Sequence, residues 1–278
     1  MLNHPTVEKL HQLRLSGMAR ALVSQAQTPD VGQLSFDERL GLLVDSEAAE
    51  RESRQNAARL KRARLKQAAT PEDVDYRHPR GLDRALFARL MTGRWVSEHQ
   101  NVLLCGPTGI GKTFLACALA NQACRQDHSV LYVRLTRLLP TLAIGRGDGS
   151  YLKSLAQLAK TENLVIDEWA LAPLTDESHR HLLEIFDDRQ GTHSTIVTSQ
   201  LPVKHWYAAI GDPTLADAIL GRWLLHSLHV LDNVTSVSTS SSRISCRSSH
   251  SNHSHDSSTK SHIYQLRTTD RYDHVVIG

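Results

Sequence analysis

Asn101-Val-Leu-Leu-Cys105 runs directly into Gly106-Pro-Thr-Gly-Ile-Gly111-Lys112-Thr113, and this junction decides the fold of the chain. The first five residues are almost continuously apolar, as a short strand covered on both faces should be. The next eight match the spacing GxxxxGK[ST], and Lys112–Arg125 behind them reads as a helix. Strand, glycine-rich turn and helix in that order make a phosphate-binding loop. Glycines at 106, 109 and 111 allow a turn tight enough to aim successive N–H groups at phosphate oxygens, and the helix adds its positive end. The expected ligand set is Gly106, Pro107, Thr108, Gly109, Ile110, Gly111, Lys112 and Thr113. Lys112 carries charge to the β- and γ-phosphates, and Thr113 offers its hydroxyl to Mg²⁺.

On either side of this junction, short apolar runs alternate with amphipathic stretches. Further strands are expected at Ser129–Arg134, Asn163–Ile166 and Thr195–Thr198, and helices at Leu152–Lys160 and Glu177–Gln190. Such alternation predicts an α/β domain with a parallel sheet over residues 77–232. Leu164-Val-Ile-Asp167-Glu168 ends one of these strands with two acids. Asp167 suits Mg²⁺, held through water, and Glu168 suits orientation and activation of an attacking water. The two motifs together specify a nucleoside triphosphatase.

Residues 1–76 read as helical. Leu10, Leu13, Leu15, Ala19, Leu22 and Val23 recur at helical spacing, and Ser35-Phe-Asp-Glu38 has the spacing of a capping box. A long helix is expected from Phe36 to about Ala69, stopped by Thr70-Pro71. Arg51, Arg54, Arg59, Lys61, Arg62, Arg64 and Lys66 stand in its second half against one acid, Glu52. The run fits either a solvated helical face or a surface that tracks nucleic-acid phosphates. Residues 233–278 change character, with 13 serines between Ser236 and Ser261, and are expected to be a disordered tail.

Composition narrows the class. The 278 residues are 40% hydrophobic and 22% charged, with a formal net charge of only +3. No apolar run approaches the roughly 20 residues that cross a bilayer. The four cysteines form no CxxC pair. A globular cytoplasmic protein is expected, and a membrane protein, a disulfide-built secreted domain and a collagen-like fibre are excluded.

The stretch from about Leu10 to Arg222 resembles the IstB family, the ATP-binding helper proteins of insertion sequences, in the AAA+ branch shared with the helicase loader DnaC. Leu13-Arg-Leu-Ser-Gly-Met18, the phosphate loop and Val165-Ile-Asp-Glu-Trp169 through Pro173-Leu174 carry the resemblance. Thr198-Ser-Gln-Leu-Pro-Val203 with His205-Trp206, and Gly211-Asp-Pro-Thr-Leu-Ala-Asp-Ala-Ile219, carry it further. It implies a P-loop AAA+ three-layer core behind a helical N-terminal domain, with ATP and Mg²⁺ as cofactors. It also implies a homo-oligomer that binds double-stranded DNA through the basic helix, hydrolyses ATP and recruits or stimulates a partner transposase. The sensor of the γ-phosphate falls on Gln200 first and Ser199 second. An arginine finger reaching a neighbouring subunit falls on Arg222, with Arg189 as runner-up. Beyond Trp223 the family's helical lid and its basic sensor find no counterpart here. A nucleotide- and DNA-binding module without productive hydrolysis is therefore the alternative. A helicase loader is a second alternative, against which the His205-Trp206 and Gly211–Ile219 blocks speak.

Overall fold

The computed structural model describes residues 5–77, 81–224 and 227–230. Three helices lead, α1 (Pro5–Gln12), α2 (Ser16–Gln27) and α3 (Phe36–Ala63), followed by α4 (Arg84–Met91) and the short α5 (Arg94–Ser97). Then come β1 (Asn101–Cys105), α6 (Lys112–Arg125), β2 (Val130–Arg134), α7 (Leu135–Asp148), α8 (Tyr151–Lys160), β3 (Asn163–Trp169) and α9 (Asp176–Arg189). The last elements are β4 (Ser194–Ser199), α10 (Trp206–Ile210), α11 (Pro213–Leu224) and β5 (Ser227–His229).

Alternation along the strands divides the core. Val102 and Leu104 of β1, Val165 of β3 and Ile196 of β4 point to one face, where α6 and the segment after α3 cover them. Leu103, Leu164, Ile166 and Val197 point to the other, under α7, α8, α9 and α11. The sheet is wholly parallel in the order β2-β3-β4-β1-β5. The expected α/β three-layer fold is therefore present, and the phosphate loop leaves the carboxyl end of a strand inside the sheet. Trp169, Trp206 and Trp223 pack with Phe186 into one aromatic cluster, with centroid separations of 5.0 to 6.1 Å. This cluster anchors the end of β3 that carries the acids.

The N-terminal helices meet through a buried carboxylate. The N–H groups of Gly17 and Met18, at the start of α2, donate to Glu47 Oε2 at 2.8 and 3.4 Å. Orphan amides at a helix start are thereby satisfied by a negative group, which the helix dipole also favours. A methyl at Gly17 would stand 2.5 Å from the Ser46 carbonyl oxygen, so only glycine lets α2 lie this close to α3.

Two expected element ends are corrected, and some elements were not expected. The capping box at Ser35 and Glu38 forms, but α3 ends at Ala63, six residues before Ala69. Arg64 takes a left-handed conformation (φ 53°), and the chain turns so that Ala63, Ala69 and Val74 bury themselves in the P-loop core. Helix α7 and strand β5 were not foreseen. Strand β3 also continues past Ile166 to Trp169, because its pairing with β4 shifts register between these two residues. The tail at 233–278 lies outside the described residues.

Candidate nucleotide site

The carboxyl ends of β1, β3 and β4 enclose a cleft of about 450 Å³ lined by the phosphate loop, Asp167, Glu168 and Thr198–Gln200. Gly109 and Gly111 adopt φ of 90° and 92°, which a side-chain-bearing residue would resist at consecutive bends of so tight a loop. Lys112 begins α6, and its ammonium donates to the carbonyls of Gly106 (2.6 Å) and Pro107 (2.8 Å). Burial lowers its pKa, while the charge of Asp167 opposes the shift.

Asp167 is the hub. Only 2% exposed, it accepts hydrogen bonds from Thr113 Oγ1, 3.1 Å from both carboxylate oxygens, and from the hydroxyls of Tyr132 and Thr198. Burial and the adjacent carboxylate raise the Tyr132 pKa, so its phenol remains a donor. Glu168 would point away from Asp167 in a regular strand, where neighbouring side chains alternate. A left-handed φ of 68° at Glu168, beside the register shift, lets both acids line the same cleft. A non-glycine residue held there stores backbone strain, as functional sites often do. Thr136 donates to Glu168 Oε2 at 2.8 Å, and Arg134 lies 3.9 Å from Oε1.

Magnesium fits these groups. Thr113 Oγ1 and Asp167 supply two hard oxygen donors side by side, beside a loop shaped for phosphate, and Mg²⁺ typically takes one or two protein oxygens with phosphate and water.

The sensor candidates separate. Gln200 is exposed and lines the cleft. Ser199 does not present its hydroxyl there. It donates to the Trp169 carbonyl (3.1 Å) and accepts from Leu201 N–H (3.0 Å), which binds it to the strand ends. Thr198 takes the inward position instead. Sequence reasoning missed it because a one-residue step along β4 exchanges the faces.

The seven basic residues of the N-terminal region also separate. Arg51 and Arg54 pair with Glu47, at 2.8 and 3.4 Å, but remain half-exposed. Arg59 donates to the Cys124 carbonyl (2.8 Å) and pairs with Asp127, so it ties α3 to the end of α6. Lys66 lies beyond the end of α3. Because α3 stops early, its ammonium lies 3.6 Å from Asp167 Oδ2 and 3.8 Å from Glu168 Oε1, inside the nucleotide cleft. Lys61, Arg62 and Arg64 are exposed and form no ion pair among the described residues. Arg189, runner-up for the finger, is buried and donates to the carbonyls of Leu158, Thr161 and Ser194. It cannot reach a neighbouring molecule. Arg222 stands at the opposite end of the sheet from the cleft and pairs with Asp187 at 2.8 Å.

The profile of the family described as IstB-like ATP binding protein matches residues 8–249. The chain belongs to that family. A Sinorhizobium fredii protein named for ATP binding in an insertion sequence is 50% identical over 232 residues, covering 84% of this chain and 94% of the relative. A similarly named Pseudomonas fluorescens protein is 52% identical over 203 residues, covering 73% and 88%. The crystal structure of DnaI matches with a TM-score of 0.52 and 21% identity, over 59% of this chain and 90% of DnaI. This likeness extends to the fold alone. No described helix is long and apolar enough to cross a membrane.

Proposed function

We propose that this IstB-family protein is an ATPase that assembles on double-stranded DNA and recruits or stimulates a partner transposase. The observation that carries the reading is the convergence of Lys112, Thr113, Asp167, Glu168 and Thr198 on one cleft at the ends of three strands. In this reading the N–H groups of residues 108–113 and Lys112 hold the phosphates, and Thr113 and Asp167 hold Mg²⁺. When bound, the metal neutralises charge developing on the phosphate oxygens. Thr198 and Tyr132 keep Asp167 oriented. Glu168 orients the attacking water and takes its proton, and Gln200 reaches the γ-phosphate from the cleft wall. Residues 1–76 serve DNA binding and assembly, and 77–232 form the ATPase core. DNA phosphates meet Lys61, Arg62 and Arg64, with Arg51 and Arg54 flanking them. Phe36, Leu40 and Val44 form an exposed apolar stripe along α3, which supports self-association.

Phosphate release measured with and without duplex DNA tests this. Turnover should rise with DNA, and Glu168→Gln should retain ATP while losing about 10²-fold or more in rate. Hydrolysis by Glu168→Gln at the parental rate would overturn the assignment of the base. A parent chain that binds ATP and DNA without turnover would establish the binding-module reading.

A further inference from the structure

Part of the charge that compensates Asp167 comes from outside the P-loop core. A carboxylate 2% exposed needs a cation nearby. Lys112 cannot serve alone, since its ammonium is given to two loop carbonyls. Lys66 supplies that part, reaching Asp167 and Glu168 at 3.6 and 3.8 Å with a side chain 40% exposed. We infer that Lys66 and Mg²⁺ compete for the Asp167–Glu168 carboxylates, so that loading the cleft with metal and nucleotide drives Lys66 out and reports occupancy to the basic end of α3. The inference rests on the cleft being a Mg²⁺–ATP site.

Two features favour Lys66 as the group that yields. Its contacts are ion pairs beyond ordinary hydrogen-bond length, on a flexible stem reachable by solvent. A divalent ion held by Thr113 and Asp167 would repel the ammonium at close range. The route outward is short. Lys66 and Gln67 both line the cleft, between residues anchored in the core, Ala63 and Leu65 on one side and Ala69 on the other. An expelled Lys66 therefore stays beside Lys61, Arg62 and Arg64 and adds a fourth cation to that face. Linkage then works in reverse: a polyanion that holds Lys66 outside must strengthen metal–nucleotide binding by the same factor.

The test uses the full chain and Mn²⁺ as the probe, titrated by electron paramagnetic resonance. Lys66→Met should tighten Mn²⁺ binding on the order of tenfold, while Lys66→Arg should stay near the parent. In parallel, tryptic cleavage after Arg64, read by mass spectrometry, should accelerate several-fold when Mg²⁺ and a non-hydrolysable ATP analogue are added to the parent. In Lys66→Met it should be fast from the outset and indifferent to the ligand. Unchanged or weaker Mn²⁺ binding by Lys66→Met, or parental cleavage after Arg64 that ignores the ligand, would overturn the competition. A parent chain that binds Mn²⁺ neither alone nor with the analogue would instead overturn the nucleotide-site reading on which it rests.

Discussion

Asp167 and Arg189 are equally buried, each 2% exposed, at opposite ends of the same parallel sheet. Their surroundings differ in kind. Arg189 donates to the carbonyls of Leu158, Thr161 and Ser194 and to the Thr195 hydroxyl, at 2.5 to 3.2 Å, and every partner is a fixed part of this chain. Burial lowers its pKa, and no carboxylate is needed to hold it. Asp167 is met by three hydroxyls and one loosely held ammonium, beside a cleft of about 450 Å³. A buried charge saturated by backbone acceptors closes a structure. A buried charge whose counter-ion can be exchanged leaves room for chemistry.

The largest effect should come from breaking the closed end. Arg189→Met leaves three buried carbonyls without their donor, and we expect a loss of about 3–5 kcal/mol in urea-induced unfolding. Nucleotide affinity of the protein that remains folded should be unchanged. A loss below about 1 kcal/mol would mean that water replaces the guanidinium and that this end is not closed.

At the open end the sign of the experiment reverses. Lys112→Ala should lower affinity for a fluorescent ATP analogue by at least about 10²-fold, because the group removed faces phosphate. Its unfolding free energy should fall by less than that of Arg189→Met, since two carbonyls lose a donor instead of three, and one of them belongs to the exposed Pro107. A variant that lost stability and kept its affinity would place Lys112 with Arg189.

The same contrast explains what was legible in the sequence. The phosphate loop could be read because its geometry is written in eight contiguous residues, and Asp167-Glu168 because an apolar run ends in acids. That the strands would be covered on both faces followed from their continuously apolar runs, and Val102, Val165 and Ile196 are buried on one face with Leu103, Leu164 and Val197 on the other. Positions set by distant contacts were not legible. Arg64 offers no glycine or proline to announce a left-handed helix end, yet that end decides whether Lys66 lies on a helix face or in the cleft. Thr198 differs from Ser199 and Gln200 only by its register against β1 and β3, which no local pattern supplies. Strand β5 is three residues long with one large apolar side chain, and its conformation is provided by pairing with β1.

Arg222 sharpens the comparison with the smallest effect on the fold. It shares the amino end of the sheet with Arg189 and borders the same small pocket, but its side chain is 35% exposed and its partner Asp187 is 63% exposed. An ion pair so open to water is worth little, so Arg222→Ala should change unfolding stability by no more than about 1 kcal/mol. ATP affinity should also be unaffected, because the residue stands at the far end of the sheet from the phosphate loop. A cost above about 2 kcal/mol would make Arg222 a second closing arginine. If the small cost is found, the residue is available to a neighbouring subunit, and the proposed finger role can be examined separately. Subunits carrying Arg222→Ala would be mixed with subunits carrying Glu168→Gln on duplex DNA. An intact arginine from one chain and an intact glutamate from the other then meet at some interfaces, and hydrolysis should partly recover. A mixture as inactive as its components, with the DNA-bound oligomer verified by sedimentation, would leave Arg222 as a surface ion pair and nothing more.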